Sequence, residues 1–98
     1  MLTLLMIRSF RCKHTAALFA GQRCKPQWRT FRNVAERKLG MLHAAQALSD
    51  LRVPPNNHLE ALRRERAGQH SIRINDQFRI CFRWSPDGPV DVEIVDYH

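Results

Sequence analysis

The sequence has no apolar run approaching the 18 or so residues that span a bilayer. The opening residues 1–6 are apolar, but Arg8 and Arg11 close the stretch. It lacks both the basic start and the length of a signal-peptide core. Cysteine is scarce: Cys12, Cys24 and Cys81 are odd in number and widely spaced, with no Cys-x-x-Cys pair. That excludes a disulfide scaffold, and three reduced thiols fit a reducing, cytoplasmic compartment. The histidines at 14, 43, 58, 70 and 98 form no His-Glu-x-x-His and pair with no cysteine at zinc-finger spacing. No metal site is read, and no cofactor is expected. Repeats and low-complexity tracts are missing as well, which excludes collagen-like and disordered chains.

Acidic residues are also few. Nine Asp+Glu face sixteen Lys+Arg, giving a formal net charge of +7, with a sequence pI near 10.4. Such a balance favours polyanionic partners, chiefly nucleic acid. At 98 residues, 44% hydrophobic and 26% charged, the chain reads as a single domain over 1–98 with one core. A chain of this length buries about 65% of the surface its unfolded form exposes.

The hydrophobic pattern divides the chain. Residues 7–10 alternate and read as an edge strand; residues 14–19 suit one or two helical turns. Residues 28 to about 49 carry Phe31, Val34, Ala35, Leu39, Leu42, Ala45 and Leu48 at i, i+3, i+4 spacing. This predicts one main helix, ended by Pro54-Pro55 and a turn at Asn56-Asn57. Three strands follow, at 69–74, 78–84 and 90–96, joined by hairpin-length loops. A helical first half before a β-meander gives an α+β fold.

The strand faces opposite the apolar set carry the chemistry. The three-residue loop between Ile74 and Phe78 places Arg73 opposite Arg79. The five-residue loop between Trp84 and Val90 places Arg83 opposite Asp91, Cys81 opposite Glu93 and Arg79 opposite Val95. Arg79 then lacks an acidic partner. An unpartnered arginine pair on a solvent-facing sheet suits an anion, because guanidinium forks match phosphate oxygens. Arg63, Arg64, Glu65 and Arg66 form a charge run ahead of these strands and suit the side of a nucleic-acid groove.

The chain ends Asp96-Tyr97-His98. All three side chains accept or donate protons, and histidine is the one whose ordinary pKa, about 6.5, lies near neutrality. With neighbouring arginines, this set suffices for metal-free RNA cleavage by the RNA's own 2′-hydroxyl.

The segment Arg66-Ala67-Gly68-Gln69-His70-Ser71-Ile72-Arg73-Ile74-Asn75-Asp76-Gln77-Phe78-Arg79-Ile80-Cys81-Phe82 and the terminal Val92-Glu93-Ile94-Val95-Asp96-Tyr97-His98 resemble the HigB-type branch of the RelE toxin superfamily. Val34-Ala35-Glu36-Arg37-Lys38-Leu39 and Leu51-Arg52-Val53-Pro54-Pro55 look like that family's helix and following turn. The likeness runs nearly the whole chain from Met6 onward. Residues 1–5 precede the usual family start and read as an alternative start or a disordered tail. The chain departs from the family in having Arg64-Glu65-Arg66 where Gly-Asp-Arg is common. Glu60 stands where some members place an active-site histidine, which makes it a candidate base.

The resemblance implies a small curved, mainly antiparallel sheet packed on N-terminal helices. It also implies a type II toxin that cuts messenger RNA, typically in the ribosomal A site. The implied catalytic residues are Asp96, Tyr97, His98 and Arg79, and the RNA-binding residues are Arg63, Arg66 and Arg73. The implied partners are mRNA, the ribosome and a HigA-type helix-turn-helix antitoxin. Operator DNA is reached only through the antitoxin complex, and no membrane is involved. The rival reading is a catalytically weak module that binds RNA, ribosome or antitoxin through its basic face.

Overall fold

The computed structural model describes residues 4–97. The expectations for His98, and for the first three residues of the opening segment 1–5, fall outside the described residues. Helix α1 (Lys13–Phe19) is followed by a 3-10 segment, Pro26–Phe31, and by α2 (Arg32–Ala44). Two short 3-10 segments, Leu48–Arg52 and Pro55–Asn57, lead to β1 (Glu60–Ala61). A further 3-10 turn, Arg64–Arg66, precedes β2 (His70–Arg73), β3 (Phe78–Ser85) and β4 (Gly88–Asp96). The four strands form one antiparallel sheet in the order β1-β2-β3-β4. The fold is α+β, as the patterning predicts, and no helix among the described residues is long and apolar enough to cross a membrane.

The core lies between the helices and one face of the sheet. Leu18, Phe31, Ala35, Leu39 and Leu42 meet Ile72, Ile80, Phe82, Val92 and Ile94, all buried. Phe31 also packs against Phe78, with ring centroids 4.7 Å apart. The expected helical stripe is therefore the core stripe, but not as one helix. Pro26 opens a 3-10 segment, and Phe31, at φ −116° and ψ 12°, breaks it from α2. At the other end Ala45 turns extended, and Asp50 accepts hydrogen bonds from the Gln46 and Ala47 amides at 3.0 and 3.1 Å. These carboxylate bonds satisfy backbone donors in a new turn instead of continuing α2.

The opening segment runs alongside β4. Phe10 makes a parallel bridge to Val92, and the Arg8 and Arg11 amides donate to the Pro89 and Val92 carbonyls at 2.8 and 3.0 Å. The edge strand expected at 7–10 is thus a single bridge with flanking bonds. Leu5 is tied to Gln46 through its amide at 2.9 Å and its carbonyl at 3.1 Å.

The β3–β4 register departs from expectation at one end. Arg79↔Val95 and Cys81↔Glu93 pair as predicted, and so does Arg73↔Arg79 between β2 and β3. Arg83, however, pairs with Val90 rather than Asp91. The turn closes at Ser85↔Gly88, tighter than five residues, and a bulge between Cys81 and Arg83 absorbs the one-residue difference. Asp91 occupies the bulge at φ 54°, a left-handed conformation that Asp tolerates. Its carboxylate still lies 3.9 Å from the Arg83 guanidinium. Gly88, at φ 122°, is required at the turn because a Cβ there would meet the Met6 carbonyl.

A buried hydroxyl and the three thiols give direct tests. Thr15 is fully buried, and its hydroxyl accepts the Ile94 amide at 3.0 Å, which docks α1 on β4. Thr15→Val leaves that amide unpaired and should cost about 1–3 kcal/mol in urea unfolding; an unchanged midpoint would show that this bond does not hold α1. The thiols should separate in the same way. Burial alone would raise the Cys12 thiol, but hydrogen bonds from Thr15 and His14 and the Lys25 charge outweigh it, leaving the pKa lowered. Burial pushes the Cys81 thiol up. In native protein at mild alkaline pH, iodoacetamide should modify half-buried Cys12 first, and Cys24 and Cys81 only on unfolding. Mass spectrometry of labelled peptides reads the order, and rapid native labelling of Cys81 would contradict its burial.

Candidate active site

The register sorts side chains between the two faces of the sheet. Glu60, Ser71, Cys81 and Glu93 stand in one row across the four strands. Arg73, Arg79 and Val95 form the next row on the same face. Tyr97 continues it two residues after Val95, while Asp96, paired with Phe78, alternates to the other side.

This face is not open to solvent, contrary to the expectation from the sequence. Ser71 and Cys81 are fully buried, and Arg79 is only 8% exposed. Arg66 reaches back over the sheet, donating to Glu93 at 3.1 Å and to Gln69 at 3.0 Å. The charge run therefore folds over the Cys81 row, and its own arginine joins a carboxylate already near Arg11, at 3.7 Å.

Arg79 is not unpartnered either. Its Nη1 lies 3.6 Å from Glu60 Oε1, and its Nη2 donates to the His58 carbonyl at 2.6 Å. Facing Val95 gives no partner along β4, as the register predicts, but β1 and the turn before it supply two. That turn is held from below. Buried Asn57 donates to the Leu51 and Val53 carbonyls at 3.2 and 3.4 Å and accepts from the Lys38 ammonium. His58 then turns left-handed, at φ 45° and ψ 56°, which directs its carbonyl to Arg79. Arg73 pairs with Asp76 in the β2–β3 loop.

These side chains border a cleft of about 330 Å³ lined by Arg73, Arg79, Glu60, Tyr97, His58 and the Asn75-Asp76 turn. A wider hollow adjoins it, sharing Glu60 and Tyr97 and bounded by Arg63 and Arg66. Tyr97 is held at its backbone, donating to the Gln77 carbonyl at 2.7 Å, and remains 37% exposed. Asp96 accepts from the Gln77 amide group at 3.0 Å. Of the residues singled out in the sequence, the cleft therefore brings together Arg73, Arg79 and Tyr97. Arg63 and Arg66 line its extension, where Arg63 is exposed and Arg66 is engaged with Glu93. Asp96 is not among the lining residues of either hollow. His98 lies outside the described residues.

Two further contributors carry weaker marks in the sequence. Glu60 stands out only through the family comparison, and its pairing with Arg79 depends on a two-residue strand. His58 is one of five scattered histidines; the Pro-Pro-Asn-Asn turn ahead of it is the sole local sign of a special backbone position. Chemically, the cleft combines guanidinium groups of a kind that suits phosphate, the carboxylates of Glu60 and Asp76, and a phenol able to donate a proton.

Comparison with known proteins places the chain in a family. Residues 9–98 match the family described as RelE-like toxin of type II toxin-antitoxin system HigB. A 52-residue segment is 52% identical to Toxin HigB-1 of Vibrio cholerae serotype O1, covering 53% of this chain and 55% of that protein. A 51-residue segment is 43% identical to an uncharacterized protein of Haemophilus influenzae, covering 52% of this chain and 50% of that one. The chain thus spans about half the length of the curated relatives it matches. The family match takes in the helices, the whole sheet and the cleft, and the chain belongs to the RelE-like toxins of the HigB type II toxin–antitoxin system.

Proposed function

We propose that this protein is a metal-free messenger-RNA endonuclease that cuts on the ribosome and is neutralised by a HigA-type helix-turn-helix antitoxin. The observation that carries the reading is the convergence of Arg73, Arg79, Glu60 and Tyr97 on one cleft. The arginines hold the scissile phosphate. Glu60, an acceptor within reach of Arg79, takes the proton from the RNA 2′-hydroxyl as that oxygen attacks phosphorus. The P–O5′ bond breaks, and Tyr97 or the adjoining His98 gives a proton to the leaving 5′-oxygen. Products are a 2′,3′-cyclic phosphate and a 5′-hydroxyl. Asp96, joined to Gln77, fixes the chain entering this terminal pair.

Arg79 suits a phosphorane, in which negative charge grows on the non-bridging oxygens. Its guanidinium is buried and oriented before substrate arrives, so little reorganisation accompanies the reaction. Arg63 and Arg66 extend the positive surface along the strand. The cleft alone offers few contacts to align a flexible RNA for in-line attack. A ribosome that presents the message in an ordered conformation supplies that alignment. The antitoxin and its operator complex are inferred from membership of the toxin family.

Single substitutions separate cleavage from binding. Glu60→Gln, Tyr97→Phe and His98→Ala should leave ribosome binding near wild type, with cleavage falling about 100-fold or more for at least one of them. Arg79→Ala should weaken both, with circular dichroism checking the fold because the residue is buried in β3. Wild-type cleavage by all three proton-handling variants would overturn the site assignment. Ribosome binding without cleavage by the wild type would instead favour the binding module.

Cofactor use and the partner have separate readouts. Protein dialysed against EDTA should retain full cleavage once magnesium is restored for the ribosomes, whereas a need for added zinc or manganese would contradict the scheme. Expression of the chain alone should arrest growth, and co-expression of the adjacent antitoxin should restore it. Normal growth with abundant soluble wild-type protein would count against toxicity.

A further inference from the structure

Beyond Arg73, on the side away from Tyr97, lies another hollow of about 400 Å³. Its walls are Val34, Arg37 and Lys38 of α2, Asn56, Arg73 at the end of β2, and Ile74 and Asn75 just after it. Three cationic side chains meet there, and no acidic residue lines it. Lys38 is only 3% exposed. Its ammonium donates to Asn57 and, at 3.4 Å, to Asn56, which leaves one of its three donors. Neither Lys38 nor Arg37 forms an ion pair among the described residues. The Asp76 that pairs with Arg73 lines the catalytic cleft rather than this hollow. Desolvation first, and then the charges of Arg37 and Arg73, push the Lys38 pKa down. The first reflects the burial of Lys38 and the second the nearness of two further cations.

We propose that this hollow is a subsite for a phosphate group of the RNA backbone, next along the strand from the phosphate at Arg79. Arg73 and Asn75 line both hollows, so one strand can pass from one to the other across them. Arg37 and Lys38 supply the charge, and the Asn56 and Asn75 amides supply neutral donors to the remaining oxygens. The placement of this phosphate next to the scissile one rests on the endonuclease reading. The subsite would fix the register of the strand, since a phosphate held on each side of Arg73 leaves the intervening nucleotide little freedom to slide.

The test combines a protein change with a neutral backbone link. Single-turnover cleavage on programmed ribosomes gives the toxin concentration for half-maximal rate. Messages carry a methylphosphonate one link to the 5′ side or one link to the 3′ side of the cut. For wild type, one of the two replacements should raise that concentration about tenfold, the scale of a lost charge-assisted contact. Arg37→Ala, an exposed position, should raise it similarly with the natural message and should abolish the further effect of the same replacement. Its salt slope should fall by about 1. Arg37→Lys should restore most of both. Inorganic phosphate provides a readout independent of cleavage: it should move the Lys38 side-chain ¹⁵N resonance in wild type and not in Arg37→Ala.

Full additivity of Arg37→Ala with both methylphosphonates would overturn the subsite. So would a phosphate-induced shift with no backbone effect, which would mark an adventitious ion only. A loss of antitoxin affinity in Arg37→Ala with cleavage unchanged would assign the hollow to an acidic group of that protein and overturn it too. Failure of wild type to cleave the natural message would instead remove the endonuclease reading, and the strand placement with it.

Discussion

A guanidinium buried in a sheet constrains everything around it. Arg79 sits in the middle strand pair at 8% exposure, where an uncompensated charge would be severely penalised. Glu60 and the His58 carbonyl provide the compensation, and each imposes a structural demand. Glu60 must be delivered by β1, so the chain adds a two-residue strand at the edge of the sheet. The His58 carbonyl must turn inward, so the preceding residues form a tight turn ending in a left-handed residue. That turn is fixed by buried Asn57, and Asn57 is fixed by Lys38 of α2. Helix, turn and sheet are thereby connected through polar bonds as well as through the apolar core. The strain of a left-handed histidine, a cost of order 1–3 kcal/mol, is located at the cleft and held by contacts made away from it.

The same arrangement bears on reactivity. An arginine whose orientation is set by two protein acceptors offers its remaining surface to a phosphate at a defined angle. Glu60 has two consequences. It lowers the positive charge around Arg79, and it places a group able to accept a proton beside that arginine. In a surface that only binds a polyanion the carboxylate still serves as the counterion of buried Arg79, although affinity for a polyanion follows the number of cations presented. A transesterification site benefits from it, because proton removal and charge stabilisation are needed within one nucleotide. Glu60 is thus the counterion of Arg79 in either reading and has a second role, as proton acceptor, only in the endonuclease reading.

Short-range logic made much of the sheet legible. Period-two alternation and a three-residue loop placed Arg73 opposite Arg79, and the same counting placed Cys81 opposite Glu93. The core stripe from Phe31 to Leu42 was legible from helical spacing. What escaped were effects that alternation does not encode. The tight turn at Ser85↔Gly88 and the core-facing register differ by one residue, so the chain bulges at Asp91. The apolar spacing from Trp28 to Leu42 continues through a 3-10 segment and a helix alike, because both bury one side, so periodicity alone did not reveal the break at Phe31.

The candidate site was legible in its strand residues and obscure in its loop residues for the same reason. Arg73, Arg79 and Tyr97 are placed by strand geometry, which is local. Glu60 and His58 reach the cleft through a turn whose conformation depends on Lys38, some twenty residues earlier in the chain. The cover over Cys81 depends on Arg66 finding Glu93, across the whole sheet. Counting charges on one face therefore overstated the free cations: Arg66, Arg73 and Arg79 each have a carboxylate within ion-pair distance. Arg37 and Lys38 have none among the described residues, and in the sequence they stand out only within a stretch that carries the family likeness. The positive charge around the cleft is therefore partly neutralised from within, by Asp76, Glu60 and Glu93, and that of Arg37 and Lys38 is not, among the described residues.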